Sequence, residues 1–73
     1  MGNDNEETMN EKIDFFMDLK VPVHVKLFDK TFLNGIIIKR LRDNVYWMEE
    51  RKLGEVFLFS KDIFDIKKLE VKV

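Results

Sequence analysis

The alternation in residues 21–38 is the feature that most restricts the fold of this chain. Four apolar residues, Val21, Val23, Val25 and Leu27, alternate with Pro22, His24, Lys26 and Phe28. A period of two predicts a strand with one buried face. The β-branched residues 36–38 belong to a second strand, and the two strands meet at a turn formed by Asp29 and Lys30. The stretch therefore predicts two successive antiparallel strands.

A helix is predicted before the first strand. Apolar residues recur at i, i+4, i+7 and i+8, namely Met9, Ile13, Phe16 and Met17. This spacing places them on one helical face. Thr8 and Glu11 fit a capping box, and Pro22 disfavours helical geometry at the residue before it. The predicted helix therefore covers about residues 8–20.

The remaining sequence predicts short strands separated by turns. The second strand, about residues 31–41, contains Gly35 in its interior, which indicates a sharp bend or a close backbone approach. Residues 45–48, 55–59 and 63–66 follow as further strands, and the alternation of residues 69–73 extends the last one or pairs with a neighbouring chain. The predicted fold class is mainly β, with an N-terminal helix before a five-stranded, strongly bent antiparallel sheet that closes into a small barrel.

Length and composition restrict the class of protein. The chain has 73 residues, which predicts one domain over residues 8–73 after a disordered segment, residues 1–7. It contains no cysteine, which excludes a disulfide scaffold and a thiolate metal site. The polar, acidic start does not look like a signal peptide, and no apolar run approaches the roughly 20 residues of a membrane span. We therefore expect a cytoplasmic protein.

Charge is distributed unevenly along the chain. Residues 1–20 carry six acidic residues and two lysines, a net charge of −4, whereas residues 21–73 carry eleven basic and eight acidic residues, a net charge of +3. An acidic helix therefore precedes a mildly basic barrel. This balance does not favour general binding to polyanions, so a nucleic-acid site would have to be local.

The side-chain inventory does not favour catalysis. A nucleophile and base would have to be drawn from Ser60 or a threonine together with His24, the only histidine. The carboxylates are scattered over turns and the helix surface rather than converging. His24 lies on the polar face of the first strand, where a surface or hydrogen-bonded role is expected. The sequence predicts no enzyme, no cofactor and no metal site.

Three short motifs resemble those of the Sm-like (LSm/Hfq-like) small β-barrel family. Val21, Pro22 and Val23 follow a helix, and Asn34 and Gly35 follow after nine residues of strand and turn, as in the bacterial RNA-chaperone branch, Hfq. Asp43 and Asn44 resemble a later family motif, an Asp followed by a short polar residue, but they stand two residues beyond its usual position. Residues 56–66 resemble the second family motif, an aromatic strand, a polar break and an apolar last strand. The similarity covers roughly residues 12–66.

The resemblance implies a ring of identical chains that binds single-stranded, uridine-rich or adenine-rich RNA. In the family, the fourth strand of one subunit pairs with the fifth of the next, here residues 56–59 with residues 63–66, and we expect about five to seven chains. The implied pore-side residues are Arg40, Arg42, Asp43, Asn44, Tyr46, Ser60 and Lys61. The implied residues of the opposite face are Lys26, Lys30, Thr31 and Phe32.

The chain also departs from the family pattern. Val45 stands where a stacking aromatic residue is expected, so Tyr46 would have to stack a base from the adjacent position. The polar break contains Ser60 and Lys61 instead of a Lys-His pair, and the helix lacks the basic rim of the family. These differences predict weak RNA binding. They leave a second hypothesis open, in which the barrel is a protein-interaction or assembly module that does not bind RNA.

Overall fold

The computed structural model describes residues 4–70, with side chains from Thr8 onward. These residues form one helix and five strands: α1 (Asp4–Leu19), β1 (Val23–Leu27), β2 (Phe32–Arg42), β3 (Val45–Glu50), β4 (Gly54–Phe59) and β5 (Ile63–Lys68). A single 3-10 turn, Ser60–Asp62, joins β4 to β5. The strands form an antiparallel sheet in the order β4-β3-β2-β1-β5. The predicted fold class, a helix followed by five antiparallel strands, is confirmed.

The helix begins earlier than the sequence pattern predicted. It starts at Asp4 rather than Thr8, so Thr8 and Glu11 lie inside the helix and do not form its N-terminal cap. Acidic residue types favour the first turn of a helix, and the sequence has three of them at positions 4–7. Of the segment predicted to be disordered, residues 1–3 lie outside the described residues. The predicted end is confirmed, because Lys20 takes a left-handed φ of 56° just after the last helical residue.

Gly35 lies where β2 passes from one partner strand to another. Residues 32–35 pair with β1, whereas residues 35–42 pair with β3, and Gly35 pairs with both Val23 and Glu50. The backbone of β3 passes so close that a Cβ atom on Gly35 would lie 2.0 Å from the carbonyl oxygen of Glu49. Glycine is required because this close approach leaves no space for a side chain.

Irregular pairing adds to the curvature of the sheet. The register between β2 and β3 shifts at Ile38 and again at Leu41, and the register between β1 and β5 shifts at Phe64. Extra residues of this kind bend a strand and increase its local twist. The five short strands consequently wrap around one core instead of forming a flat sheet.

The core lies between the concave side of the sheet and the helix. Its buried apolar residues are Ile13, Val23, Val25, Leu33, Ile37, Tyr46, Met48, Leu58, Ile63 and Ile66. Met9, Phe16 and Met17 of α1 pack against this cluster, as the helical spacing predicted. The helix therefore covers one open side of the barrel, which explains its position on the chain directly before β1.

The sheet keeps two free edges in the isolated chain. Strands β4 and β5 are its outermost strands, and they are not paired with each other, so hydrogen bonds do not close the barrel. β5 ends at Lys68, and the backbone N–H of Leu69 then donates to the carbonyl oxygen of Pro22 over 2.9 Å. Residues 71–73, which were predicted to continue the alternation, lie outside the described residues.

Candidate nucleic-acid interface

Several of the predicted pore-side residues hold α1 against the barrel. The guanidinium of Arg40 donates to the carboxylate of Asp14 at 2.8 Å and also to the backbone carbonyl of Asp43. The hydroxyl of Tyr46 donates to the same Asp14 carboxylate at 2.8 Å. The charge of Arg40 is thus already partly balanced by a helix residue, and this reduces what it can offer to a phosphate.

Tyr46 is not available to stack a base, which corrects its predicted role. Its ring is 0% exposed and lies in the core. Burial, together with the hydrogen bond to Asp14 and the negative charge of that carboxylate, raises the pKa of the Tyr46 phenol, although the nearby Arg40 acts in the opposite direction. Successive residues of β3 face opposite sides of the sheet, and here Tyr46 is buried in the core while Trp47 is half-buried on the other side.

Asn44 and Ser60 join the β2–β3 turn to the start of the 3-10 turn. The backbone N–H of Ser60 donates to the Asn44 carbonyl oxygen at 3.0 Å, and the Ser60 hydroxyl lies within hydrogen-bonding distance of both Asn44 oxygens. The side-chain amide of Asn10 donates to Asn44 Oδ1 at 2.7 Å. Since Ser60 is buried and Asn44 has its acceptor occupied, both residues stabilise local structure.

Three predicted pore-side residues remain exposed. Arg42, Asp43 and Lys61 all have largely solvent-accessible side chains. Arg42 and Lys61 supply cations on the helix side of the barrel, but no exposed aromatic residue of the predicted set accompanies them. The exposed rings that share a cavity with Lys61 are Phe28 and Phe64, which were not among the predicted residues.

An aromatic and basic cluster lies on the outer surface of β1, β2 and β5, and its Phe28 and Phe64 rings also line a cavity of about 310 Å³ that reaches Lys61 and the start of α1. We refer to it as the outer cluster, and its members are His24, Lys26, Phe28, Phe32 and Phe64. The rings of His24 and Phe32 stack with centroids 5.1 Å apart and planes 21° apart. The rings of Phe28 and Phe64 meet edge to face with centroids 5.5 Å apart. Four rings thus share one surface.

Lys26 lies between these two aromatic pairs. Its Nζ atom is 5.8 Å from the centroid of Phe32 and 5.2 Å from that of Phe64, within the range of cation–π interactions. The three phenylalanines are 50–65% exposed. Exposure of this size is unusual for phenylalanine, so the cluster presents flat apolar surface and a cation to solvent.

Lys30 and Thr31 form the turn beside this cluster. Asp29 Oδ1 accepts a hydrogen bond from the Thr31 N–H at 2.9 Å, which lowers the pKa of the Asp29 carboxyl. Lys30 adopts a φ of 71°, in the left-handed region that favours glycine. Both Lys30 and Thr31 are exposed. The structure therefore brings together all four predicted residues of the opposite face: Lys26, Lys30, Thr31 and Phe32.

Three residues of the outer cluster were not among the predicted RNA-binding residues: His24, Phe28 and Phe64. The alternation of β1 already placed His24 and Phe28 on the same face as Lys26, so that signal was present. His24 is hydrogen-bonded through Nδ1 to the side-chain oxygen of Asn34, in agreement with its expected surface role. Phe64 could not be placed, because its position depends on the register shift between β1 and β5.

A cavity elsewhere in the molecule does not fit a polyanion. It has a volume of about 620 Å³ and lies near Gly35, at the ends of β3 and β5, and none of the predicted site residues lines it. Glu49, Glu50 and Glu70 contribute three carboxylates to its wall against the single charge of Arg51. Electrostatic repulsion therefore disfavours phosphate groups there.

Residues 4–70 contain neither a membrane-spanning helix nor a metal-binding cluster. No helix in this part of the chain is long and apolar enough to span a membrane. The same residues contain no group of three or more histidine and acidic side chains arranged to hold a metal ion.

The similarity of this chain to known proteins is visible in its structure and not in its sequence. No protein-family model and no curated protein matches the sequence. A crystal structure of Hfq, a pleiotropic translational regulator, is similar with a TM-score of 0.67, and the match covers 81% of this chain and 95% of that one. The two sequences are only 12% identical over this match, so the likeness concerns the fold alone. The N-terminal helix and the five antiparallel strands give this chain the Sm fold of Hfq, as its sequence motifs predicted.

Proposed function

We propose that the chain assembles into a cyclic homo-oligomer of about five to seven subunits, by analogy with closed heterologous rings, and that this ring binds single-stranded RNA. The outer cluster would supply the main contacts, and Lys61 and Arg42 on the helix side would add phosphate contacts. We also propose a non-enzymatic, cytoplasmic role. The observation that carries the proposal is the exposed Phe32 ring, stacked on His24 and approached by the Lys26 ammonium.

The two free edges support assembly. An unpaired edge strand presents a row of N–H and C=O groups, and pairing β4 of one subunit with β5 of the next would satisfy both edges. On β4, Phe57 and Phe59 are 67% and 41% exposed, and they lie opposite Trp47 and Val45 of β3. This apolar row beside a free edge has the composition of a subunit contact.

The outer cluster supports binding to single-stranded nucleic acid rather than to a duplex. Bases in a duplex are stacked on each other, whereas those of a single strand can stack on exposed rings, and each such contact is worth about 1–3 kcal/mol. Lys26 lies close enough to the rings for the backbone phosphates of a stacked strand, and Lys30 is exposed in the turn that leads into Phe32. Repetition around a ring would multiply this small local charge.

The alternative is an interaction module that does not bind RNA. It is favoured by the helix side, where Tyr46 is buried and Arg40 is paired with Asp14. Under this alternative the exposed phenylalanines would contact another protein. Direct binding measurements distinguish the two functions.

Assembly is tested by light scattering of the purified chain. We expect a mass of several subunits at micromolar concentration and a smaller mass after Phe57→Glu, since a carboxylate would be desolvated at the contact. Leu53→Glu changes a residue of equal exposure outside β4 and serves as the matched control. A monomeric wild-type chain would exclude the ring.

RNA binding is tested by fluorescence anisotropy with short uridine-rich and adenine-rich strands at low salt. We expect binding that weakens steeply as salt is added, because neutralised phosphates release counterions. Phe32→Ala should weaken it about tenfold or more, the value of one lost stacking contact. Phe15→Ala removes an equally exposed ring from the helix and should leave affinity unchanged.

The same assay decides between the two faces. If Arg42→Ala lowers affinity more than Phe32→Ala, the helix side is the main site and the outer cluster is not. Lys61→Ala does not separate the two, because Lys61 lines a cavity with Phe28 and Phe64 of the outer cluster. If neither strand binds at ~10 μM protein and low salt, where even non-specific complexes usually form, the interaction module replaces the RNA-binding function.

A further inference from the structure

The solvent-facing side of α1 carries two large apolar residues that the proposed ring and RNA site do not use. Phe15 is 59% exposed and Leu19 is 53% exposed. They are four residues apart and therefore neighbours on the helix surface. The core-facing residues of the same helix, including Ile13, point to the other side. Phe15 and Leu19 are thus not needed to hold the helix on the barrel.

Two acidic side chains lie on the same helical face. Glu11, Phe15, Asp18 and Leu19 occupy positions i, i+4, i+7 and i+8, and all four are exposed. We call this set the helix outer face. Asp14 does not belong to it, because its carboxylate is bound to Arg40 and Tyr46. The two carboxylates of the helix outer face, in contrast, have no such partner among the described residues.

The ring of Phe15 has one aromatic neighbour that limits where it can move. It contacts the ring of Phe16 edge to face, with centroids 5.5 Å apart and planes at 71°. Phe16 itself packs against the core cluster. A side chain whose motion is already limited loses less entropy on binding, so Phe15 is suited to anchor a contact.

The charge of the helix limits what can bind there. α1 contains six acidic residues and one lysine, Lys12, whereas residues 21–73 have a net charge of +3. Phosphates of nucleic acid and anionic lipid headgroups are repelled by such a surface. A cationic surface is attracted, and apolar side chains on it would cover Phe15 and Leu19.

We propose that the helix outer face binds a cationic amphipathic segment of a partner protein. Apolar side chains of that segment would pack on Phe15 and Leu19, and its lysines or arginines would pair with Glu11 and Asp18. This site is separate from the outer cluster, because Glu11, Phe15, Asp18 and Leu19 are all on α1 and none of them lines the cavity that Phe28 and Phe64 share with that helix. A ring would thus carry RNA on the outer cluster and protein segments along the exposed faces of its helices.

The test measures binding of a labelled synthetic peptide to the full chain by fluorescence anisotropy. The peptide has about 14 residues, enough for a marginal helix, with leucine on one helical face and lysine on the other. We expect Phe15→Ser to weaken binding about tenfold, near the 1.4 kcal/mol that one apolar contact can supply. Glu11→Gln combined with Asp18→Asn should weaken it and flatten its salt dependence. A peptide with glutamate in place of lysine should not bind.

Leu53→Ser provides the matched control, because Leu53 is 67% exposed and lies in the β3–β4 turn. An equal loss of peptide binding in Leu53→Ser and Phe15→Ser would refute the site. A drop in the mass of the protein on Phe15→Ser would show that a second copy covers this face, which also refutes it. Phe32→Ala should leave peptide binding unchanged, and a loss of peptide binding in this variant would contradict separate sites.

Discussion

Replacement of Gly35 by alanine tests the close approach on which the bend of β2 depends. The added Cβ would lie 2.0 Å from the Glu49 carbonyl oxygen and 2.9 Å from the Cα atom of Glu50, both backbone atoms. Real Cβ contacts almost never fall below 3.0 Å, so β3 must move away by at least 1.0 Å, the difference between 3.0 and 2.0 Å. Such a shift affects the pairing of β2 with β3.

The expected cost has two parts. Overpacking of this kind typically costs about 1–3 kcal/mol, and weakening one ladder hydrogen bond adds about 1 kcal/mol. We therefore expect Gly35→Ala to lower the free energy of unfolding by about 3 kcal/mol and Gly35→Val by more. At about 4–8 °C per kcal/mol for a domain of this size, the melting temperature should fall by roughly 12–24 °C.

Thermal and urea unfolding followed by the fluorescence of Trp47, the only tryptophan, measure this loss. Protein concentration is held constant, since the stability of an oligomer depends on it. Gly54→Ala is the matched control, because a Cβ there meets nothing within 4 Å while the φ of 81° still costs about 1 kcal/mol. If Gly35→Ala is no more harmful than Gly54→Ala, the steric explanation of the bend is wrong.

Three other predictions concern single residues. The Glu50 carboxylate accepts hydrogen bonds from the backbone N–H groups of Asn34, Leu53 and Lys52, which lower its pKa, so Glu50→Gln should cost about 2 kcal/mol at neutral pH. The stability that the ionised Glu50 carboxylate contributes is fully present above the unfolded pKa of about 4.3 and is lost as the pH falls through the folded pKa. The unfolding free energies of Glu50→Gln and the wild type, measured in urea, should therefore become equal at acidic pH. Tyr46, the only tyrosine, should resist ionisation in an alkaline absorbance titration of the folded chain. The stability of the fold should decline once the pH rises above the unfolded pKa of about 10. A phenol that ionises near pH 10 in the folded chain would contradict the burial of Tyr46. Lys30→Gly should relieve the strain of the left-handed φ and stabilise the fold by about 1 kcal/mol. The same change should weaken RNA binding because it removes a positive charge. An unchanged RNA affinity would show that Lys30 is not part of the interface.

The secondary structure could be predicted because each element has its own periodic pattern. The apolar positions of α1 repeat with a helical spacing, and those of β1 alternate, so either pattern alone identifies its element. Only the start of α1 was wrong, because a helix can begin anywhere in a stretch of favourable residues and the pattern of Thr8 and Glu11 also occurs inside helices. The importance of Gly35 also followed from its residue type within a strand.

The candidate site could be predicted only in part. Lys26 and Phe32 were placed on one face by their family positions, and the structure confirms that they are adjacent. The roles of Arg40 and Tyr46 were not predictable, because both depend on Asp14, a helix residue 26 and 32 positions earlier in the chain. Local sequence patterns contain no information about contacts across such separations.

The sequence by itself determined the order of the elements, the core-facing residues of α1 and β1, and the Sm-like fold, because periodicity and residue type act over a few neighbouring positions. The tertiary structure decided which charged and aromatic residues are free to bind. It buried Tyr46, paired Arg40 with α1 and, through the register of β1 and β5, placed Phe64 beside Lys26. Availability for binding depends on what a side chain already contacts, and those contacts are fixed only when distant segments pack together.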